Sequence, residues 1–411
     1  MRSTEQALLD ALTPGARVYV SAGSAEPLAF GALLATAPER AKGVEFIGSF
    51  VPGVNAFDYA GLHPQARMST LLLPGPLRAS FCAGRVDVLP LSYSAFAAHL
   101  TRRPPDVAVV HVTPPDAHGM CSLSLAADFA PVVWKQASCR VAFFNPALPR
   151  PPGAWKIPAS EIDIAVDCDQ PAIALPQAVP SPELAALAAQ TASLVDDGAC
   201  IQAGLGGAPG AVLRALTTRR GLVVHSGMIS DEVMALAEAG ALAPQGHKTG
   251  IAIGSPALYA WLETAASVSF VPTPQTHDAA ALAQCDRLVA INSALEVDLF
   301  GQANLEWLGG RLVSGVGGAP DFIAGARLSR CGSSIIVLPA QARGRSRIVA
   351  RLTSPTVSIP RNMIDAVVTE HGVAGIGDLP LEPRAQALIG IAAPEHRAEL
   401  QSAWECLRDS L

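Results

Sequence analysis

Two glycine-rich loops hold the sequence features best suited to chemistry. Gly204-Leu205-Gly206-Gly207-Ala208-Pro209-Gly210 follows the apolar run Cys200 to Ala203 and opens onto a stretch, Ala211 to Leu216, that suits a helix. Glycines let the backbone approach a ligand closely, and the N–H groups at a helix start can hold an anion or a developing oxyanion. A plain tight turn would show the same residues. The spacing departs from the dinucleotide fingerprint, and no acidic residue closes a strand about 20 residues on, so NAD binding is disfavoured. A second loop, Ser314-Gly315-Val316-Gly317-Gly318-Ala319-Pro320-Asp321-Phe322, has the same character and also precedes a helix. Two such loops point to a site lined by backbone amides.

Between them, Ile291 to Asn304 takes an apolar strand into polar groups, with Glu296 and Asp298 as candidate catalytic carboxylates. A carboxylate at a strand end more often caps loop amides. The stretch Gly221 to Glu232 runs from a strand through His225-Ser226-Gly227-Met228 to a helix start at Ser230-Asp231-Glu232. His225 and Ser226 are strand neighbours, so their side chains point to opposite faces and cannot form a Ser–His pair. His111 lies inside an apolar strand and reads as a core histidine. Asp116 and His118, in the rigid turn Pro114 to Gly119, could face a cleft or serve only the turn.

The elements that must position these residues come twice. Ala16 to Val20 reads as a strand, Ser21 to Pro27 as a small-residue loop and Leu28 to Thr36 as a helix, with further strands at Gly43 to Gly48, Gly84 to Pro90 and Pro105 to Val112. Gly15-Ala16-Arg17-Val18 followed by Gly23 matches Gly198-Ala199-Cys200-Ile201 followed by Gly206, an offset of 183 residues, and Asp106 to Val110 matches Asp286 to Ala290. A repeat of that length means duplicated domains and not a solenoid. The expected fold class is α/β, with two related, open, mostly parallel-sheet domains over residues 1–180 and 181–411. The proline-rich stretch Asn145 to Ser181 would be an extended crossover with the boundary near Pro180. Such sheets bind ligands beyond the carboxyl ends of their strands, which places the expected site in a cleft between the halves.

Composition narrows the function classes. The 411 residues are 50% hydrophobic, enough for two cores, and the net charge of −6 comes without a basic stripe, against a nucleic-acid or anionic-membrane partner. The eight cysteines are scattered with no CxxC pair or Cys/His cluster, so neither a disulfide frame nor a metal site is expected. No run approaches eighteen apolar residues, and Arg2, Glu5 and Asp10 interrupt the amino terminus; a cytoplasmic protein is the expectation.

The phrases Gly84-Arg85-Val86-Asp87 with Ser92 to Leu100, Thr113 to Leu123, and above all Val289-Ala290-Ile291-Asn292-Ser293-Ala294-Leu295-Glu296-Val297-Asp298-Leu299 resemble the acetyl-CoA hydrolase/transferase family, in particular its 4-hydroxybutyrate and succinate CoA-transferases. The resemblance extends through Ser314 to Phe322, Val367 to Gly372 and Arg384 to Ile389. It implies CoA-transferase-type domains with an acyl-CoA bound at their interface, coenzyme A as the only cofactor, a small acceptor as second substrate and a homodimer. In such enzymes a glutamate attacks the thioester to give a mixed anhydride, CoA returns to form a glutamyl thioester, and an acceptor carboxylate takes the CoA. The carboxylate suits this because it is ionised without a general base. By the same resemblance Gly204, Gly206, Gly207 and Ala208 form the CoA and oxyanion loop, and Gly315, Gly317 and Gly318 a second CoA contact. Arg343, with Arg345 and Arg347, lies where the family has a basic loop that could meet CoA phosphates, or could be a solvated turn.

At the centre the sequence departs from the pattern. The family phrase is His-Thr-Glu-Met; here His225-Ser226-Gly227-Met228 puts a glycine at the nucleophile's position. Three readings follow. Water or a second substrate, admitted to the space left at Gly227, attacks the thioester or an adjacent carbon–carbon bond directly. Alternatively another carboxylate, Glu296 or Glu232, takes over. Or the chain is a silent CoA-binding subunit beside a related active partner. Restoring the carboxylate with Gly227→Glu is expected to regain transfer if the rest of the machinery is intact.

Overall fold

The computed structural model describes residues 4–176 and 182–409. They form two compact units, the first made of residues 4–176, 247–276 and 313–317, the second of 182–246, 277–312 and 318–409. The first unit holds a seven-stranded sheet in the order Val86–Val88, Arg67–Thr70, Glu45–Gly48, Arg17–Val20, Val107–Val112, Cys139–Phe144, Ile164–Asp167. Every neighbouring pair is parallel. Val107–Val112 is buried along its whole length, as its near-continuous apolar run requires in a sheet covered on both faces. The chain switches direction across the sheet between Arg17–Val20 and Val107–Val112, the kind of point where open α/β sheets form crevices.

In the second unit the order Val223–Ile229, Cys200–Ala203, Leu288–Ser293, Ser333–Val337, Ala366–Thr369 repeats that plan with parallel pairs, and Gly372–Gly375 adds an antiparallel strand. The corresponding switch lies between Cys200–Ala203 and Leu288–Ser293. One face is packed by the helices Ala319–Leu328 and Leu381–Ile391, burying Leu288, Ala290, Phe322, Ile323, Ile336 and Leu388. The duplication seen in the sequence is thus a duplication of sheet topology.

Two expectations need correction. The proline-rich stretch from Asn145 is more than an extended crossover, because it carries the strands Lys156–Pro158 and Ile164–Asp167, the latter closing the first sheet. The alternating run Ile162-Asp163-Ile164-Ala165-Val166 has the period-two pattern that makes it a strand. The second domain is also not the uninterrupted stretch 181–411. Residues 247–276 return to the first unit, where His247–Ala252 pairs with Val268–Phe270, the Ala127 amide donates to Gly250 at 2.9 Å and the Phe270 amide donates to Gly153 at 2.8 Å. The expected boundary at Pro180 falls outside the described residues. Among the described residues no helix is long and apolar enough to cross a membrane.

Candidate active site

The second unit presents its glycine loop at the switch point. Between the two central strands, Gln202 and Asn292 exchange side-chain hydrogen bonds, with Asn292 Nδ2 donating at 3.0 Å and Gln202 Nε2 donating back at 3.3 Å. Directly beyond, the Gly204 amide donates to Ile291 at 2.9 Å. Gly206 has φ +123°, a region that side-chain-bearing residues rarely enter. The helix then starts at Gly207, four residues earlier than expected, and runs to Ala215 with no side chain capping its first turn. The first N–H groups of any helix lack intrahelical partners. Leu205 and Gly206 are exposed, so this helix start is open. An anion or a carbonyl oxygen can be received here by backbone N–H groups alone.

The neighbouring strand, Val223–Ile229, runs straight through the four residues of interest. Ser226 Oγ donates to the carbonyl of Ala203, the last residue of the adjacent strand, at 3.2 Å, which sets Gly227 just past that strand's carboxyl end. His225 points the other way, its Nδ1 3.2 Å from Cys285 Sγ. The two side chains therefore lie on opposite faces and make no catalytic pair, and His225 shares a face with Gly227.

That face is where the structure departs from expectation. The space beside Gly227 is filled by the ring of His277: a Cβ placed on Gly227 would lie 2.7 Å from both Cε1 and Nε2 of that ring. A Cβ on Gly318 would lie 2.5 Å from the same Nε2. Phe322 closes the slot, its ring centroid 4.7 Å from that of His277. His277 is 2% exposed, and burial, with a smaller push from His225, lowers its pKa to about 3. The imidazole is uncharged at neutral pH. The ring thus occupies the volume that a side chain at position 227 would use.

The other candidates fall into place one by one. Glu232, in the first turn of the helix Asp231–Glu238, forms an ion pair with Arg214 and accepts from Ser230 Oγ at 2.5 Å. Glu296 sits on a short strand opposite Asn304, whose Nδ2 donates to it at 3.2 Å. Asp298 is a loop cap, accepting from the amides of Phe300, Gln302 and Leu352 and from Gln302 Nε2, while burial raises its pKa. Gly315 and Gly317 belong to the first unit, where a Cβ on Gly315 would overlap the Leu71 carbonyl. Gly318 caps the helix Ala319–Leu328 of the second unit. Arg343 is exposed at the tip of a two-residue hairpin turn with φ +53°, and Arg347 Nη1 donates to Leu295 at 3.1 Å.

In the first unit, His111 is a core residue: Asn145 Nδ2 lies 3.0 Å from its Nε2, and burial lowers its pKa to about 4. Asp116 accepts from the amides of His118 and Met120 and from Lys156 Nζ, which holds its pKa down at about 2 and identifies a structural turn. Sequence reasoning missed His277 and Cys285. His277 sits in Thr276-His277-Asp278, a polar helix-start signal with nothing local to mark it. Among the described residues no group of three or more His, Cys, Asp or Glu is placed to hold a metal ion.

Comparison with known proteins assigns this arrangement to a family. Residues 254–404 match the family model for the acetyl-CoA hydrolase/transferase C-terminal domain. The 4-hydroxybutyrate coenzyme A transferase of Clostridium kluyveri is 33% identical over 401 residues, covering 95% of this chain and 94% of that protein. Among solved structures, RipA from Yersinia pestis superposes with a TM-score of 0.92 at 27% identity, covering 99% of this chain and 97% of that one. The 4-hydroxybutyrate CoA-transferase from Porphyromonas gingivalis gives a TM-score of 0.81 at 29% identity, covering 100% and 97%. The chain belongs to the acetyl-CoA hydrolase/transferase family.

Proposed function

We propose that this chain is an acyl-CoA enzyme that works without a glutamyl-CoA intermediate. Water or a second, small substrate adds directly to the thioester carbon, while the N–H groups of Gly206, Gly207 and Ala208 receive the oxyanion and Gly204, its own amide held by the Ile291 carbonyl, fixes the start of the loop. The nucleophile's proton is released, the C–S bond breaks and CoA leaves as a thiolate that takes up a proton. Removal of one such oxyanion donor in an enzyme typically lowers the rate about a hundred- to a thousandfold, so an amide-lined loop is a sufficient electrostatic device. The observation that carries the reading is a glycine at position 227 beside a glycine loop with an uncapped helix start, which supports a site that receives a thioester without offering a carboxylate at that position. The names of the relatives, which are CoA transferases, support an acyl-CoA substrate. A homodimer is the expected assembly.

Neither substitute carboxylate gains support. Glu232 is tied to Arg214 and Ser230, and Glu296 to Asn304. The silent-subunit reading is favoured by one observation, the sealed slot at Gly227. A panel of acyl-CoAs with and without carboxylate, amine and thiol acceptors separates the two. Release of CoA by the isolated chain, with initial-rate lines that intersect as a ternary complex requires, is the expected result. Parallel lines would indicate a covalent intermediate, and complete inactivity would leave the silent subunit.

A further inference from the structure

We infer that His277 takes the place a nucleophilic side chain at position 227 would need, and that this imidazole, and not the loss of the carboxylate alone, keeps the site from being acylated. The inference deepens the acyl-CoA reading above and rests on it for its chemical consequence. Three observations converge. The ring is bracketed by glycines from two different elements, Gly227 in a strand and Gly318 at a helix start, and a Cβ on either would approach ring atoms to between 2.5 and 2.8 Å. Carbon–carbon contacts are favourable only from about 3.5 Å outward. Phe322 packs beside the same place, its Cε2 3.5 Å from both hypothetical carbons and its ring centroid 4.7 Å from that of His277, which blocks retreat of the ring on that side. The backbone that presents the ring is fixed as well, since Asp278 caps the following helix through the amides of Ala280 and Ala281 at 3.0 Å each.

The chemistry agrees with the sterics. A carboxylate forced in at 227 would compete with the imidazole for one volume, and a buried carboxylate is unfavourable unless it is paired there. A glycine at 227 and a histidine at 277 thus form one arrangement, and a glutamate at 227 requires another. On this inference Gly227→Glu alone does not regain transfer even where the rest of the machinery is intact. The glutamate needs His277 removed as well.

The test is a cycle on the full-length chain: Gly227→Glu, His277→Ala and the double variant, each followed by thermal unfolding and by intact-protein mass after exposure to acetyl-CoA, butyryl-CoA or succinyl-CoA. Gly227→Glu alone is expected to lower Tm and to carry no CoA adduct. The double variant should recover Tm relative to Gly227→Glu and gain a hydroxylamine-sensitive CoA adduct at residue 227. Strictly additive Tm changes would overturn the inference, as would an adduct on Gly227→Glu as abundant as on the double variant. Recovery of Tm with no adduct in any variant would uphold the steric slot and overturn its chemical half, while the acyl-CoA reading stands or falls separately on CoA release by the unaltered chain. Should Gly227→Glu fail to fold, the same cycle with Gly227→Ala decides the steric half, and the adduct on the double variant alone decides the chemical half.

Discussion

After Arg17–Val20 in the first unit, and after Cys200–Ala203 in the second, the chain makes the same move from strand through small-residue loop to helix, but the loops end in opposite states. In the first, Ser21, Ser24 and Glu26 are buried. Glu26 accepts from Asn55 Nδ2 at 2.8 Å and from Tyr59 OH at 3.1 Å, and Asn55 Oδ1 accepts from the Gly23 amide at 2.9 Å and the Val51 amide at 2.7 Å. The loop's polar groups are used internally. In the second, Gly204 and Gly207 stand where the first has Ser21 and Ser24, Pro209 stands where it has Glu26, Leu205 is 45% exposed and no side chain caps the helix start. A loop that satisfies its own amides is structural; one that leaves them open is a binding surface. Duplicated topology therefore supplies two switch points, and on the proposed reading side-chain content makes the second the one available for a ligand.

The largest expected effect probes the sealed loop. Glu26→Ala leaves Asn55 and Tyr59 without a buried acceptor and should destabilise the protein by about 3 kcal/mol in urea unfolding. CoA affinity of the remaining folded protein should hold. Loss of affinity with stability intact would break the distinction between the two loops.

A second contrast concerns pH. His111 in the first unit and His277 in the second have folded pKa values lowered to about 4 and about 3 by burial. Above pH 6.5 both are neutral folded or unfolded and contribute nothing to pH dependence. Below it the unfolded chain binds protons that the folded chain cannot, so stability falls as pH drops toward those values. By pH 5 each site accounts for a loss of about 2 kcal/mol. His277→Gln should flatten the stability profile between pH 6.5 and 5; an unchanged profile would mean that the ring is not held neutral.

Gly206→Ala comes next, at about 1 to 2 kcal/mol, because φ +123° strains any side-chain-bearing residue. CoA affinity, read by calorimetry, should fall at least about tenfold as the loop shifts away from the ligand. Stability loss without loss of affinity would make this loop structural like its counterpart. Smallest of all, Arg343→Ala should alter stability by less than about 0.5 kcal/mol and leave CoA affinity unchanged, since the side chain is solvated at a hairpin tip. A marked drop in affinity would show that the basic turn meets the CoA phosphates.

Much of this was legible in the sequence because it is local. The strand Cys200 to Ala203 and the helix Leu28 to Thr36 match their structural bounds, and the glycine loops announce themselves by composition. The opposite orientation of His225 and Ser226 follows from strand periodicity alone. What was hidden depends on distant pairing. The return of residues 247–276 to the first unit is encoded in which strand edges meet, and no window of sequence carries that. Neighbouring glycines at 227 and 318 could have hinted at a shared occupant, but the occupant, His277, lies 50 residues beyond the first of them in an unremarkable polar stretch.

The most direct test of the central claim is a crystal soaked with a CoA thioester. The account predicts an intact thioester with its carbonyl oxygen within hydrogen-bond distance of the Gly206 to Ala208 amides, His277 still in its slot beside Gly227, and no covalent bond to the protein. A CoA or acyl group bonded to Glu232, Glu296 or any other side chain would contradict it.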